Sequence, residues 1–466
     1  MNLGGVLQAG AEILARADIL KRPLSECLKD WGAAHRFAGA KDRAAIGTLC
    51  YDALRHYLSL QYKIDSAAPL DIIYGAVFSL GYSPEALALQ LAGDKFAPPP
   101  PDPARALAWR ERRLADAPAW VRADIPQWRA PSLAQNFGEN WAEEGAALAE
   151  RPPLDLRVNA LKAGRPKLAA RLKEFSPRPL ALSPQALRIA PIKGLLGREA
   201  RHPNLQAEAA FQKGWFEIQD AGSQAAARLC AAKPQEQILD YCAGGGGKTL
   251  ALAAEMQNRG QIHAYDVEKP RLAPVYARIK RAGLHNIQVH ESRESLAPLL
   301  GRLDCVLLDA PCSGSGVWRR HPDTKWRLTE QRLEQILPRQ AQVLAEGAAY
   351  VKPGGRLIYI TCSLFYEEND AQIERFLAEN SDFQLKNMRD LWAEAMAAGE
   401  AAFAAEQGGG AAGGGALAGD LAAAEGGIAE AGAAPQPHFT PFGLLLSPRQ
   451  TGTDGFFVSA LERRGS

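Results

Sequence analysis

The sequence predicts a multidomain chain: an all-α N-terminal domain, a small α+β module, and a C-terminal α/β domain built on a mostly parallel, Rossmann-like sheet. Three observations carry that reading. Residues 1 to about 95 place apolar side chains at helical spacing. From Pro152 the pattern alternates at strand period. From residue 221 short apolar runs alternate with amphipathic stretches, as βαβ units do. A chain of 466 residues has room for two or three domains, each with its own core.

In chain order, the spacing predicts helices over 6–20 and 42–60, the second with Ile46, Leu49, Leu54 and Leu58 on one face and Lys41, Arg43 and Arg55 nearby. Pro98 to Pro101 and Pro103 end that pattern; a helix over 104–115 and a connector with Trp120, Trp128 and Trp141 follow. Leu154-Asp155-Leu156-Arg157-Val158-Asn159 reads as a strand, 165–173 as a helix and 186–189 as a second strand. Strands are expected at 237–241, 261–265, 286–290, 303–308 and 356–361, with helices at 249–257, 270–282 and 329–346. The Gly/Ala-rich segment 408–434 gains too little from burial to offset its backbone entropy and reads as a disordered insertion. Gly455-Phe456-Phe457-Val458-Ser459-Ala460 reads as a last strand, antiparallel at the sheet edge. The domains expected are therefore 1–140, 141–220 and 221–466.

With 47% hydrophobic and 23% charged residues the chain reads as soluble, and its net charge of +2 says almost nothing about a nucleic-acid partner. No basic stretch leads into an apolar segment near Met1, and no apolar run is long enough to cross a bilayer. Seven scattered cysteines do not resemble a secreted framework, so a reducing cytoplasm is expected. Local charge says more: Trp318 to Arg327 packs four cationic residues and two indoles into ten positions, the mixture that neutralises phosphate and stacks on bases. The plain alternative is a solvated loop anchored to the core by a tryptophan.

The first strand of the α/β domain ends at Asp240 and runs into Tyr241-Cys242-Ala243-Gly244-Gly245-Gly246-Gly247-Lys248-Thr249. Glycines permit a tight turn and close backbone approach to a ligand. A phosphate-binding P-loop needs Gly six positions before the Lys, where Cys242 stands, and Asp240 would face the phosphates. The second strand ends in Tyr265-Asp266, an acid placed to bind a ribose diol; its plain alternative is a helix N-cap before Glu268. A nucleoside without pyrophosphate fits better, and S-adenosylmethionine is such a cofactor, with Asp266 on the ribose and Asp240 near the amino-acid end.

The strongest chemical signal is a pair of cysteines. Leu308-Asp309-Ala310-Pro311-Cys312-Ser313-Gly314 and Ile360-Thr361-Cys362-Ser363 each follow an apolar run. If those runs are neighbouring parallel strands, both thiols emerge at the carboxyl edge, where such sheets place their chemistry. Two thiols over one ligand suggest covalent catalysis. Carbon 5 of cytosine, a poor nucleophile, becomes reactive when a thiolate adds at carbon 6, and Asp309 suits N3 and the exocyclic amine. The residues alone leave open which thiol attacks: a proline before the nucleophile, as in DNA cytosine methyltransferases, points to Cys312. Zinc deaminase ligands are absent from the sequence. Amino methylation uses an Asn/Asp-Pro-Pro-aromatic loop, and here the loop is Asp309-Ala310-Pro311-Cys312.

The chain resembles the bacterial Sun/Fmu branch of the NOL/NOP2/Sun family of RNA cytosine-C5 methyltransferases. The matching residues are Asp240 to Ala243, Gly246 to Thr249, Asp309 to Gly314, Arg319 to Asp323, Lys325-Trp326, Thr361-Cys362-Ser363 with Glu367-Glu368-Asn369, Gln219 to Gln224 and Asp454 to Phe457. The resemblance implies that Cys362 attacks carbon 6, Cys312 assists release, Asp309 binds the cytosine, and Lys248 supports the site beside the cofactor. It also implies a cofactor site of Asp240, Cys242, Ala243, Gly244, Gly246, Gly247, Lys248, Asp266 and Asp309, with Glu291 where an Asp often meets the adenine. It implies RNA contacts by Arg319, Arg320, Lys325 and Trp326, a NusB-like helical domain, an RRM-like small module, a monomeric enzyme, and small-subunit (16S) ribosomal RNA stripped of protein as substrate. One departure is Ala243-Gly244-Gly245 in place of the usual Ala-Pro, which loosens the glycine loop. A non-catalytic RNA-binding assembly factor is the rival reading, and the presence of both cysteines and both strand-end acids argues against it.

Overall fold

The computed structural model describes residues 1–16, 22–195, 203–408 and 435–465. It divides into two compact units: Met1–Pro152 with Pro191–Pro203 and Val317–Thr329, and Pro153–Ala190 with Asn204–Gly316 and Glu330–Ser466.

The first unit is helical. Leu3–Arg16, Leu24–Ala34, Ala40–Arg55, Tyr57–Ile64, Pro69–Ser79 and Pro84–Leu91 bury one face each around Val6, Leu49, Ile73 and Val77. The helix expected over 6–20 is described as far as Arg16, and 17–20 lie outside the described residues. The helix expected over 42–60 is two helices broken at His56. The break is possible because the new N-terminus is capped from a distance: the buried Asp124 carboxylate accepts the Leu58 and Ser59 amides at 2.9 and 3.0 Å. No single helix among the described residues is long and apolar enough to cross a membrane.

The second unit holds two sheets. Strands β1 (Leu154–Val158), β2 (Arg178–Pro179), β3 (Ala186–Ile189) and β4 (Phe216–Ile218) pair antiparallel in the order β2-β3-β1-β4. Leu156, Leu187 and Phe216 project from them onto Leu168 of the helix Arg165–Arg171, and all four are fully buried.

The larger sheet contains β5 (Gln237–Asp240), β6 (Gln261–Tyr265), β7 (Ile287–His290), β8 (Leu303–Asp309), β9 (Val351–Thr361), β10 (Phe383–Leu385), β11 (His438–Phe439), β12 (Leu444–Leu446) and β13 (Phe456–Arg463). Their order is β11-β12-β13-β9-β8-β5-β6-β7, with β10 also on β13. Strands β7, β6, β5, β8 and β9 are mutually parallel; β8 and the second half of β9 carry apolar runs buried on both faces, while the edge strand β7 exposes Gln288. The last strand is not at the edge. β13 lies between β9 and β12, antiparallel to both, and Phe456 to Leu461 are buried throughout, as an interior strand requires. The helix Met388–Gly408 leads into the segment read as a disordered insertion, whose residues 409–434 lie outside the described residues.

Candidate active site

Strands β8 and β9 are neighbours, with Asp309 opposite Ile360, so both thiol loops leave the same sheet edge side by side. The Cys312 and Cys362 sulfurs are 3.3 Å apart, and all seven cysteines are free thiols. The Cys312 thiol is pushed well above its usual range, first by its hydrogen bond to Cys362 and then by burial. The two thiols are thus within hydrogen-bonding distance of one another, and either can donate. Close backbone packing holds the first loop in place. The Gly316 and Gly455 backbones are joined by a 2.8 Å hydrogen bond, and a Cβ on Gly316 would meet the Gly455 carbonyl oxygen at 2.1 Å.

Lys248, near the start of the helix Gly247–Glu255, is 7% exposed and donates to Asp309 Oδ2 at 2.7 Å. Burial opposes its charge, but Asp309, helped by Cys362 and Asp240, more than restores it, so the Lys248 pKa is raised. A fixed cation thus stands beside the strand-end acid and within electrostatic reach of the thiol pair.

One strand over, Asp240 is buried at the end of β5. Its Oδ2 accepts the Thr249 hydroxyl at 2.6 Å, while Oδ1 finds no hydrogen-bond partner among the described residues. Burial pushes its pKa up to about 7, against the relief from Thr249. An unsatisfied buried carboxylate oxygen at a strand end marks a place where a ligand donor is missing. Gly244 and Gly246 take φ of +51° and +79°, which turns the loop backbone over this position. Asp266 is also buried and accepts the Gly244 and Glu268 amides, each at 2.9 Å. The contact to Glu268 closes a local Asx-type turn and is not a helix N-cap, because the next helical turn starts at Lys269 with Glu268 as its N-cap; the contact to Gly244 fixes the loop. Ala243 donates to the Tyr265 carbonyl at 2.9 Å, and Cys242 carries a thiol held well above its usual range by burial. These donors and acceptors fit S-adenosylmethionine: Asp240 has an open acceptor, Asp266 is rigidly placed one strand away, and the loop between them is glycine. Glu291 instead accepts Tyr276 at 2.9 Å and Lys269 at 2.5 Å.

The basic-aromatic stretch is not the solvated loop of the plain alternative: Pro322–Arg327 is a helix, and half of the stretch is buried. Val317–Thr329 belongs to the helical unit. Trp318 is fully buried, Arg319 is 4% exposed and Lys325 1%. The Lys325 ammonium donates to the Arg55 carbonyl at 3.0 Å, and the Trp326 indole donates to the Leu54 carbonyl at 2.8 Å. Burial lowers the Lys325 pKa to about 8. Arg319 and Lys325 are thus inside the helical unit and not on a phosphate-facing surface. Arg320 alone of the four pairs cationic charge with partial exposure.

A family model described as 16S rRNA methyltransferase RsmB/F matches residues 227–462. The chain belongs to that family. A second model, the ferredoxin-like domain of RsmF/B-like methyltransferases, matches 125–192, which includes β1 to β3. The chain is 37% identical over 266 residues to a probable ribosomal RNA small subunit methyltransferase B of Synechocystis, covering 56% of this chain and 58% of that protein. It is 36% identical over 267 residues to ribosomal RNA small subunit methyltransferase B of Klebsiella pneumoniae, covering 56% and 59%. The chain thus spans under two thirds of the curated relatives it matches. The PH0851 crystal structure shares the fold, with a TM-score of 0.66 at 23% identity over 99% of each chain.

Within this RsmB/F-type site, sequence reasoning missed the role of Glu368. It lies in the quoted Glu367-Glu368-Asn369 stretch, but only the fold shows its fully buried carboxylate meeting the loops of both cysteines. The signal available was a pair of acids five and six residues past a strand-end thiol, which does not say which acid turns inward.

Proposed function

We propose that the chain transfers a methyl group from S-adenosylmethionine to carbon 5 of a cytosine in small-subunit (16S) ribosomal RNA, through a covalent bond between Cys362 and carbon 6. The observation that carries this reading is the 3.3 Å thiol pair at the ends of adjacent parallel strands, beside the Lys248–Asp309 ion pair. The family assignment supports the substrate.

Bound S-adenosylmethionine supplies an electrophilic methyl group, held by Asp240, Asp266 and the glycine loop. The chain's own residues and solvent do the rest. Cys362 gives its electron pair to carbon 6, which makes carbon 5 electron-rich. Asp309 holds N3 and the exocyclic amine as charge shifts in the ring, and Lys248 keeps Asp309 in place. Carbon 5 takes the methyl group, and its proton then passes to a solvent base. The pair of that C–H bond restores the 5,6 double bond, and the bond from carbon 6 to Cys362 breaks with its pair returning to the sulfur. Cys312, adjacent to that sulfur, assists the release. This division of roles between the two thiols follows the family resemblance.

The same reading assigns residues 1–140 to a NusB-like RNA-binding domain and linker, 141–220 to an RRM-like module and 221–466 to the methyltransferase domain. It takes protein-free ribosomal RNA as the partner of a cytoplasmic monomer. Partly exposed Arg320 and Trp326 are left as RNA contacts, and Glu291 as a contact to the adenine.

The test is incubation with labelled S-adenosylmethionine and protein-free small-subunit ribosomal RNA, followed by mapping of the labelled base. A single 5-methylcytosine is expected. Label confined to another RNA would overturn the target, and no transfer despite cofactor binding would put the assembly-factor reading ahead.

A further inference from the structure

A carboxylate excluded from water persists only when its lone pairs are filled. Glu368 is fully buried at the end of the 3₁₀ turn Tyr366–Glu368. Its Oε1 accepts the Ser313 amide at 2.7 Å and the Gln340 side-chain amide at 3.1 Å. Its Oε2 accepts the Ser313 hydroxyl at 2.5 Å and the Ser363 hydroxyl. Ser313 and Ser363 are the residues that directly follow Cys312 and Cys362. One side chain therefore grips both thiol loops one residue beyond the cysteines. The grip itself is anchored, because the Tyr359 hydroxyl of β9 donates to the Glu368 carbonyl at 2.8 Å. Ser315 closes the network, 3.0 Å from the Ser363 hydroxyl and accepting the Leu364 amide at 2.9 Å.

We infer that Glu368 is the positioning residue of the thiol pair: its carboxylate sets the spacing of the Cys312 and Cys362 sulfurs, so that attack by one and release by the other occur on the same base. This rests on the methyl-transfer reading for its consequence, while the clamp is testable without RNA. Two loops that end separate strands have no covalent reason to hold their sulfurs at a fixed separation. A shared acceptor supplies one, and a positioning error of about 1 Å costs on the order of 100-fold in rate.

Phenylarsine oxide is a probe of that spacing. Its arsenic forms two As–S bonds, and its oxygen leaves as water with the two thiol protons, with no change of oxidation state. The wild-type chain is expected to hold one arsenic across Cys312 and Cys362, by peptide mass spectrometry, against challenge by a monothiol. Glu368→Ala is expected to lose that retention at least tenfold and to slow single-turnover methyl transfer about 100-fold, with KM for RNA and cofactor binding unchanged. Glu368→Gln, which keeps one acceptor oxygen, is expected to fall between. Ser313→Ala/Ser363→Ala removes only the two hydroxyl arms and carries the test if Glu368→Ala does not fold. Wild-type retention or a wild-type single-turnover rate in the folded variants overturns the assignment. Lost retention in variants of a chain that methylates no RNA leaves the clamp standing and removes the methyl-transfer reading instead.

Discussion

The loop that carries Cys312 and the segment that follows it, Val317–Thr329, are continuous in the chain, yet they use their polar atoms differently. In the loop, Cys312, Ser313 and Ser315 bond to the neighbouring strand end around Cys362 and Glu368. In the following segment the Lys325 ammonium and the Trp326 indole are taken up by the Arg55 and Leu54 carbonyls, and the Arg319 carbonyl in turn accepts the Arg55 guanidinium. The comparison teaches that a basic-aromatic composition has two physical outcomes, recognition or anchoring, decided by whether backbone acceptors on another element reach the cations first. A cation buried against a backbone acceptor is out of a phosphate's reach.

The sharpest way to break that contrast is Trp318→Ala. Deleting a fully buried indole costs about 3–5 kcal/mol, expected as a lower denaturant midpoint. Lys248→Ala, at the other region, is expected to abolish methyl transfer while the midpoint moves far less. If Trp318→Ala keeps its stability and loses only RNA affinity, the anchoring account of the segment fails.

A smaller effect concerns Asp240. Its folded pKa is raised from 3.8 to about 7 by burial, so between those values the folded state holds a proton that the unfolded state has lost. Its contribution therefore favours folding most below the unfolded value and is lost as pH rises through about 7. A cofactor donor at Oδ1 needs the carboxylate, so its binding is coupled to proton release. Cofactor affinity, by titration calorimetry, is expected to fall as pH drops below about 7, by at most about tenfold per unit. Asp240→Asn is expected to flatten that dependence. A wild-type profile flat from pH 6 to 8 would contradict the assignment of Asp240 as a cofactor ligand.

Much of the α/β domain was legible because its central strands are buried on both faces and read as apolar runs: β6 falls on its expected residues, β5, β7 and β8 begin or end within one, and β3 of the small sheet also falls on its expected residues. β9 starts five residues early, at Val351, because the strand continues through Gly354 and Gly355, which sequence reading takes for a turn. The short strands β10 to β12 had no signal of their own, since three residues at most carry no period. Nothing in the local pattern tells that Lys325 is buried, because its acceptor lies 270 positions away. In the candidate site, the two thiols and Asp309 are legible from types and spacing, and Lys248 from the family resemblance. Glu368 was not, because its role exists only where two loops converge.

The central claim is that the paired thiols act in covalent catalysis with Cys362 as nucleophile. The most direct measurement is a denaturing gel of Cys312→Ala and Cys362→Ala after incubation with small-subunit ribosomal RNA and S-adenosylmethionine. The account predicts a protein–RNA adduct that accumulates in Cys312→Ala and is absent from Cys362→Ala. An adduct in Cys362→Ala with none in Cys312→Ala would contradict it.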